Sequence, residues 1–140
     1  MIIRQGFSFK LKPDGAQDRK MSRFAGCTRW VYNQGLGWNE ERRAADPAFE
    51  LSYSKLCSEL LVCKEQNPWL KETHSQVLQQ SLKDLSGAFQ KFFKGLSAFP
   101  KMHKKFVTTD TFRFPQGFKI DQGRRQIYLP SIGWVKYKRS

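Results

Sequence analysis

The chain has 140 residues, of which 25 are Lys or Arg and 12 are Asp or Glu, giving a formal charge of +13. That length suits one compact domain with room for a sub-domain, and 39% hydrophobic with 14% aromatic residues is too much core-forming material for a disordered basic tail. No apolar run approaches the roughly 20 residues of a membrane span. Residues 1–6 show no signal-peptide apolar region. Cys27, Cys57 and Cys63 form an odd set without a close pair, which implies no disulfide framework. The expectation is a soluble, intracellular chain that meets something negatively charged.

Residues 2–12 alternate, with Ile3, Phe7, Phe9 and Leu11 on one side and Arg4, Ser8, Lys10 and Lys12 on the other. This pattern predicts a half-buried strand with a basic outer face. Pro13-Asp14-Gly15 ends it, and Asp14 can cap the next helix. A helical period follows over about 15 to 44, through Met21, Phe24, Ala25, Thr28, Val31 and Trp38. Gly26, Gly35 and Gly37 each cost about 1 kcal/mol against Ala in a helix, so a kink or break is expected near one of them. After Asp46-Pro47, Ser52 is the expected cap of a shorter helix whose apolar stripe is Tyr53, Leu56, Cys57, Leu60 and Leu61.

Asn67-Pro68 marks the next turn. The clearest helix runs from about Ser75 to Leu96, with Leu78, Leu82, Leu85, Phe89, Phe92 and Leu96 spaced by 3 and 4. Its stripe is expected to form core against the two earlier helices. Past Phe99-Pro100, short extended pieces at Phe112–Phe114, Phe118–Ile120, Gln126–Leu129 and Trp134–Tyr137 alternate with turn signals, which predicts an antiparallel meander. A lone first strand is not stable by itself, so it should join this C-terminal sheet, leaving the helices as an insertion. The fold class is therefore α+β.

The charge gathers at both ends. Residues 1–45 are net +5, residues 46–100 neutral and residues 101–140 net +8. The last segment mixes cations with Phe106, Phe112, Phe114, Phe118, Tyr128, Trp134 and Tyr137. Cations neutralise phosphates and aromatics stack on bases, although the same aromatics equally suit a strand core. No long Lys/Arg-faced amphipathic helix argues for a membrane partner. The Cys and His residues lack metal-ligand spacing. Glu40-Glu41-Arg42-Arg43 reads as solvated helix surface, Asp110 and Asp121 are the only acids in the strand region, and no active site emerges.

Arg29-Trp30-Val31-Tyr32-Asn33, Leu51-Ser52-Tyr53, Pro68-Trp69-Leu70, Ser75 to Leu85 (SQVLQQSLKDL), Ala88 to Phe93 (AFQKFF), Phe99-Pro100-Lys101, Phe112 to Lys119 (FRFPQGFK) and Ile127 to Lys136 (IYLPSIGWVK) occur in this order. The ordered set resembles the N-terminal portion of TnpB (OrfB) proteins of insertion sequences, over essentially all 140 residues. Members of that family are RNA-guided DNA endonucleases related to type V CRISPR effectors, often called transposases. The resemblance implies a small wedge β-barrel or sheet, formed by the first strand and the C-terminal strands, interrupted by a helical recognition domain of three to four helices. In that scheme residues 1–13 and 101–140 form the wedge domain and residues 14–100 the helical, helix-turn-helix-like recognition domain.

The implied partners are a guide RNA and duplex DNA, together with a separate RuvC-containing polypeptide, and no membrane, in a prokaryotic cytoplasm at the nucleoid. The RuvC-like nuclease and its zinc-binding insertion are expected beyond Ser140, so no catalytic residue and no cofactor are expected on this chain, with Mg and Zn belonging to that missing part. Tyr53 matches the family's Leu-Ser/Thr-Tyr motif, and Gln76 and Gln79 its Ser-x-x-Leu-Gln helix start, which face the target-adjacent duplex. Amides read base edges and a helix start holds phosphate. Tyr53 could instead pack within the helix pair, and Gln79 could simply face solvent. Gln116 resembles a wedge-loop position near the same duplex. Lys101, Lys104, Lys105, Arg113, Lys119, Lys136 and Lys138 are expected as a group to contact phosphate. Two further readings stay open: a stand-alone DNA-binding regulator, and an inactive remnant of a decayed transposase gene.

Overall fold

The computed structural model describes residues 6, 8–105 and 111–138. Over these described residues it is α+β, with three α-helices and a four-stranded antiparallel sheet. Two compact units divide the chain. One comprises residues 1–22 and 116–140, and the other residues 23–115.

The first unit holds the sheet. Strands β1 (Lys10–Lys12), β2 (Lys119–Asp121), β3 (Gln126–Leu129) and β4 (Gly133–Lys138) lie in the order β1-β4-β3-β2. The first strand does return to the C-terminal strands, pairing Leu11 with Tyr137 across β4. It is shorter than the alternation over 2–12 predicts, since Ser8 and Phe9 lie outside the ladder. Ile3, Arg4 and Phe7 fall outside the described residues. Phe9 instead lays its ring against Tyr137, with centroids 4.6 Å apart. Leu129, Ile132, Val135 and Tyr137 form the buried side.

Two turns set the register. In the first, the Asp121 carboxylate accepts from the Arg124 amide at 3.1 Å, and Arg125 takes a positive φ of 53°. In the second, the Ile132 amide donates to the Leu129 carbonyl, with Ser131 and Gly133 at positive φ.

Helix α1 (Gly15–Ala45) begins on a reciprocal cap. The Gln17 amide donates to Asp14 Oδ1 at 2.8 Å, and the Asp14 amide donates back to Gln17 Oε1 at 3.0 Å. Gln17 Nε2 also donates to the Trp134 carbonyl of β4 at 2.8 Å, and Lys20 Nζ to the Ser131 carbonyl at 2.9 Å. The expected break at a glycine does not occur, and α1 runs unbroken for 31 residues. The reason lies at Gly35, where a Cβ would meet Leu85 Cδ2 at 2.7 Å and Leu56 and Leu82 at 3.3 Å. That glycine admits the neighbouring helices rather than ending its own.

In the second unit, α2 (Tyr53–Gln66) is capped by Ser52, whose hydroxyl accepts from the Lys55 amide. Leu56 and Leu60 are buried, but Leu61 is 65% exposed and does not belong to the apolar stripe. A short 3-10 turn at Pro68–Glu72 leads to α3 (Ser75–Phe93), whose first amides are capped by His74 Nδ1 accepting from Gln76. This helix ends three residues before the predicted Leu96. Gly95 takes a φ of +74°, its amide donates to the Phe92 carbonyl, and the Leu96 amide donates to the Lys91 carbonyl, a Schellman closure that turns Leu96 out to solvent.

Leu78, Leu82, Leu85 and Phe89 of α3 share one core with Cys27, Val31, Tyr32 and Leu36 of α1 and with Leu56 and Leu60 of α2. Ser81, buried among them, donates to the Thr28 carbonyl at 2.8 Å. Phe112–Phe114 is not a strand. Phe112 and Phe114 pack on Phe24 of α1, with centroids 5.8 and 6.5 Å apart, and Phe114 also meets His74, so aromatic packing replaces sheet pairing. All three cysteines are free thiols. No helix among the described residues is long and apolar enough to cross a membrane.

Candidate nucleic-acid interface

The sheet carries a chemically distinct outer face. Along β4 the burial alternates, with Val135 and Tyr137 inward and Trp134, Lys136 and Lys138 outward. Residues directly opposite one another share a face. The register therefore extends this face to Lys138 opposite Lys10 and Lys136 opposite Lys12 on β1. On the other flank Gln126 opposes Lys136, Tyr128 opposes Trp134, and Lys119 opposes Tyr128. A row Lys119, Tyr128, Trp134 crosses three strands. Lys119 Nζ lies 5.8 Å from the Tyr128 ring centre, and the Tyr128 and Trp134 rings are 5.5 Å apart.

Two like-charge pairs directly opposite each other lower sheet stability. Among the described residues Lys10, Lys12, Lys136 and Lys138 have no ion-pair partner. The same register sets one carboxylate, Asp121 opposite Gln126, at the flank of this face, so the lysines outnumber it and leave a surplus of positive charge to meet an anion. Aromatic rings placed between the cations add stacking surface.

Of the residues singled out by sequence, Lys119, Lys136 and Lys138 meet on this face. Gln116 belongs to the same unit, exposed in the bend that precedes β2. Lys10 and Lys12 were readable as the basic side of the first strand, but only the register shows them opposite Lys138 and Lys136. Gln126, at the centre of the face, carries no sequence signal beyond its place in an alternating strand.

The other residues lie in the second unit. Tyr53 opens α2 and is 37% exposed. A hydrogen bond with Cys57, then partial burial and the Cys57 charge, push its phenol above the ordinary 10.0. Gln79 is exposed on α3, whereas Gln76 is half-buried and its Oε1 is shielded without a partner. Lys101, Lys104 and Lys105 are exposed on a segment pinned through His103. Asn33 donates to the His103 carbonyl at 2.9 Å and accepts from its amide at 2.8 Å, and the Tyr32 and His103 rings stack 4.0 Å apart at 11°. Arg113 pairs with the Asp84 carboxylate of α3.

Burial, then the Asp84 charge, raise the Tyr32 phenol, and burial, then Glu59, raise the Cys63 thiol. Among the described residues no group of three or more His, Cys, Asp or Glu is placed to hold a metal ion. Asp110 lies outside the described residues.

The family model of the OrfB/IS605 helix-turn-helix domain matches residues 1–46, which here contain β1 and α1. Over 97% of its length the chain is 44% identical to "Putative RNA-guided DNA endonuclease InsQ" of Escherichia coli (strain K12), covering 34% of that protein. Over 71% of its length it is 32% identical to a "Putative RNA-guided DNA endonuclease" of Streptomyces pristinaespiralis, covering 25% of that one. These similarities define an insertion-sequence protein of the OrfB type. The chain belongs to the TnpB (OrfB) family and spans about a third or less of the length of the curated relatives it matches.

Proposed function

We propose that this chain is the nucleic-acid-binding N-terminal part of a TnpB-type RNA-guided DNA endonuclease, holding guide RNA scaffold and target-adjacent duplex without itself cutting. The observation that carries the reading is the sheet face, with Lys10 and Lys12 set against Lys138 and Lys136 beside Tyr128 and Trp134. Phosphate neutralisation supplies the affinity and the aromatics supply sequence-tolerant stacking. In this reading the sheet is the wedge domain and the helical unit the recognition domain. Tyr53, Gln76 and Gln79 attend the adjacent-motif duplex, with Gln116 at its edge. Lys101, Lys104, Lys105 and Arg113 hold phosphates, and Arg113 exchanges Asp84 for one of them. The carboxylates for phosphoryl transfer, with their Mg and Zn, belong to the portion of the relatives that this chain does not span, and a separate RuvC-containing polypeptide is the further partner. The working compartment is the prokaryotic cytoplasm, at the nucleoid.

The test is fluorescence anisotropy with a structured RNA and a DNA duplex at about 50 to 200 mM salt. Each phosphate contact contributes ~0.9 to the fall of log affinity with log salt. A slope of several is expected, reduced by about 2 in the double variant Lys136→Gln, Lys138→Gln. Absence of binding to both nucleic acids at the lowest salt overturns the reading. Cleavage by the chain with Mg²⁺, guide and target removes its non-catalytic part.

A further inference from the structure

The end of α3 gathers phenylalanine rings. Phe89 is buried, whereas Phe93 is 61% and Phe99 39% exposed. Phe89 meets Phe93 and Phe99 with ring centroids 6.3 and 5.4 Å apart, and Phe92 meets the same two rings at 5.4 and 5.1 Å. Phe89 and Phe92 therefore hold the two outer rings in place while both still present surface to solvent. Exposed apolar groups gathered in one place mark an interaction site. Its surroundings are cationic. From Leu85 to Lys105 the chain has five lysines and no Asp or Glu. Lys91 lies in the last turn of α3, Lys94 caps the helix directly after Phe93, and Lys101 stands two residues after Phe99. All three are exposed, and none has an ion-pair partner among the described residues. The Arg43 guanidinium lies 5.3 Å from the Phe93 ring centre. One carboxylate, Glu50, lines a cavity together with Arg43 and Phe93, so the cations outnumber it.

Rings and charge together select the partner. An apolar polypeptide laid on the rings would bury cations without partners, which is costly. A duplex offers phosphates but keeps its base faces stacked on one another. An unpaired strand brings a base face for a ring and a phosphate for a cation. We propose that the phenylalanine end of α3 is a stacking platform for unpaired nucleic acid, with bases laid on Phe93 and Phe99 and their phosphates beside Arg43, Lys94 and Lys101. The helix end does not work against this. The Lys94, Gly95 and Leu96 amides occupy the Gln90, Phe92 and Lys91 carbonyls, and Lys91 and Lys94 offset the partial negative charge of the C-terminus. The platform rests on the nucleic-acid reading above and adds to it a site for unpaired bases in the helical unit. It touches ring faces rather than base edges and is therefore sequence-tolerant.

The experiment measures fluorescence anisotropy of labelled dT and rU oligonucleotides of about 12 nucleotides and of a DNA duplex of the same length. The proteins are the wild type, Phe93→Ala, Phe93→Leu and Phe93→Trp. Phe93→Ala should weaken both single strands about tenfold and leave the duplex unchanged. The salt slope should not move, because the lost ring carries no charge. Phe93→Leu keeps apolar bulk without a π face and should lose nearly as much, whereas Phe93→Trp should hold or tighten binding. The tighter of dT and rU identifies whether a DNA or an RNA strand is seated. Single strands bound equally by the wild type and Phe93→Ala overturn the platform and leave the lysine face standing. Full binding by Phe93→Leu also overturns it, since the contact is then apolar bulk of the kind a polypeptide would use. Equal losses for duplex and single strands overturn it as well, because stacking on unpaired bases cannot produce them. Absence of binding by the wild type to all three probes overturns the wider reading instead. Phe93 is largely exposed, so the variants should melt close to the wild type. If Phe93→Ala unfolds, Phe93→Leu and Phe93→Trp carry the same test.

Discussion

Gly35 of α1 and Leu85 of α3 approach so closely that a methyl group on the glycine would stand 2.7 Å from Leu85 Cδ2. Gly35→Ala is therefore expected to lose about 1–2 kcal/mol. Overpacking a core costs about 1–3 kcal/mol, and the better helix propensity of alanine returns up to about 1 kcal/mol. Gly37, two residues on, has nothing within 4 Å of an added Cβ, so Gly37→Ala should instead gain about 0.5–1 kcal/mol. Urea denaturation of the two variants should shift the midpoint in opposite directions.

The lysine pairs make stability and binding pull apart. Lys136→Glu places opposite charges across from Lys12 and should stabilise the sheet by about 0.2–1 kcal/mol at low salt, fading as salt rises. The same substitution should weaken nucleic-acid binding and flatten its salt dependence. Thermal melts and anisotropy on one sample check both signs. A variant that loses stability and affinity together would show these lysines serving the fold.

The Asn33 clamp predicts a local loss of order. Asn33→Ala removes both hydrogen bonds to the His103 backbone and should cost about 1–3 kcal/mol. Amide exchange at His103 should speed up strongly while exchange in α3 changes only with global stability. By contrast Asp84→Asn, which releases the exposed Arg113, should cost no more than about 1 kcal/mol and leave Arg113 readier for phosphate.

Tyr32 sets an alkaline limit. Its folded phenol is raised above the ordinary 10.0 by burial and by Asp84, so the unfolded chain loses its proton first. The stabilisation is whole below pH 10 and disappears as the pH climbs through the raised folded value. Melting temperature should decline above about pH 10, and Tyr32→Phe should flatten that decline. The Cys63 thiol, raised from 9.0 by burial and Glu59, should react with a thiol reagent more slowly at pH 8 than the same thiol in the urea-unfolded chain.

Periodicity found the α3 start, the Ser52 cap, the strand at 126–129 and, one residue short at each end, the strand at 133–138, because these depend on neighbours a few residues away. It misjudged whatever depended on distant partners. Gly35 looked like a helix breaker until Leu85 was beside it. Phe112–Phe114 alternates like a strand, yet Phe24 and His74 claim its rings. The basic face was half visible: alternation places Lys136 and Lys138 together and Lys10 and Lys12 together, and the first strand is expected in the C-terminal sheet, but the register that sets the two pairs opposite each other joins residues more than 120 apart.

Gln17 both closes the cap of α1 and binds the carbonyl of Trp134. During synthesis, residues 23–115 emerge as one contiguous stretch and can close their core while the ribosome is still working. The strand at Lys10–Lys12 cannot pair until Lys136–Lys138 has been made. At about 5–20 residues per second that is a wait on the order of ten seconds, during which the basic N-terminal arm is unpaired and open to whatever RNA lies near the ribosome.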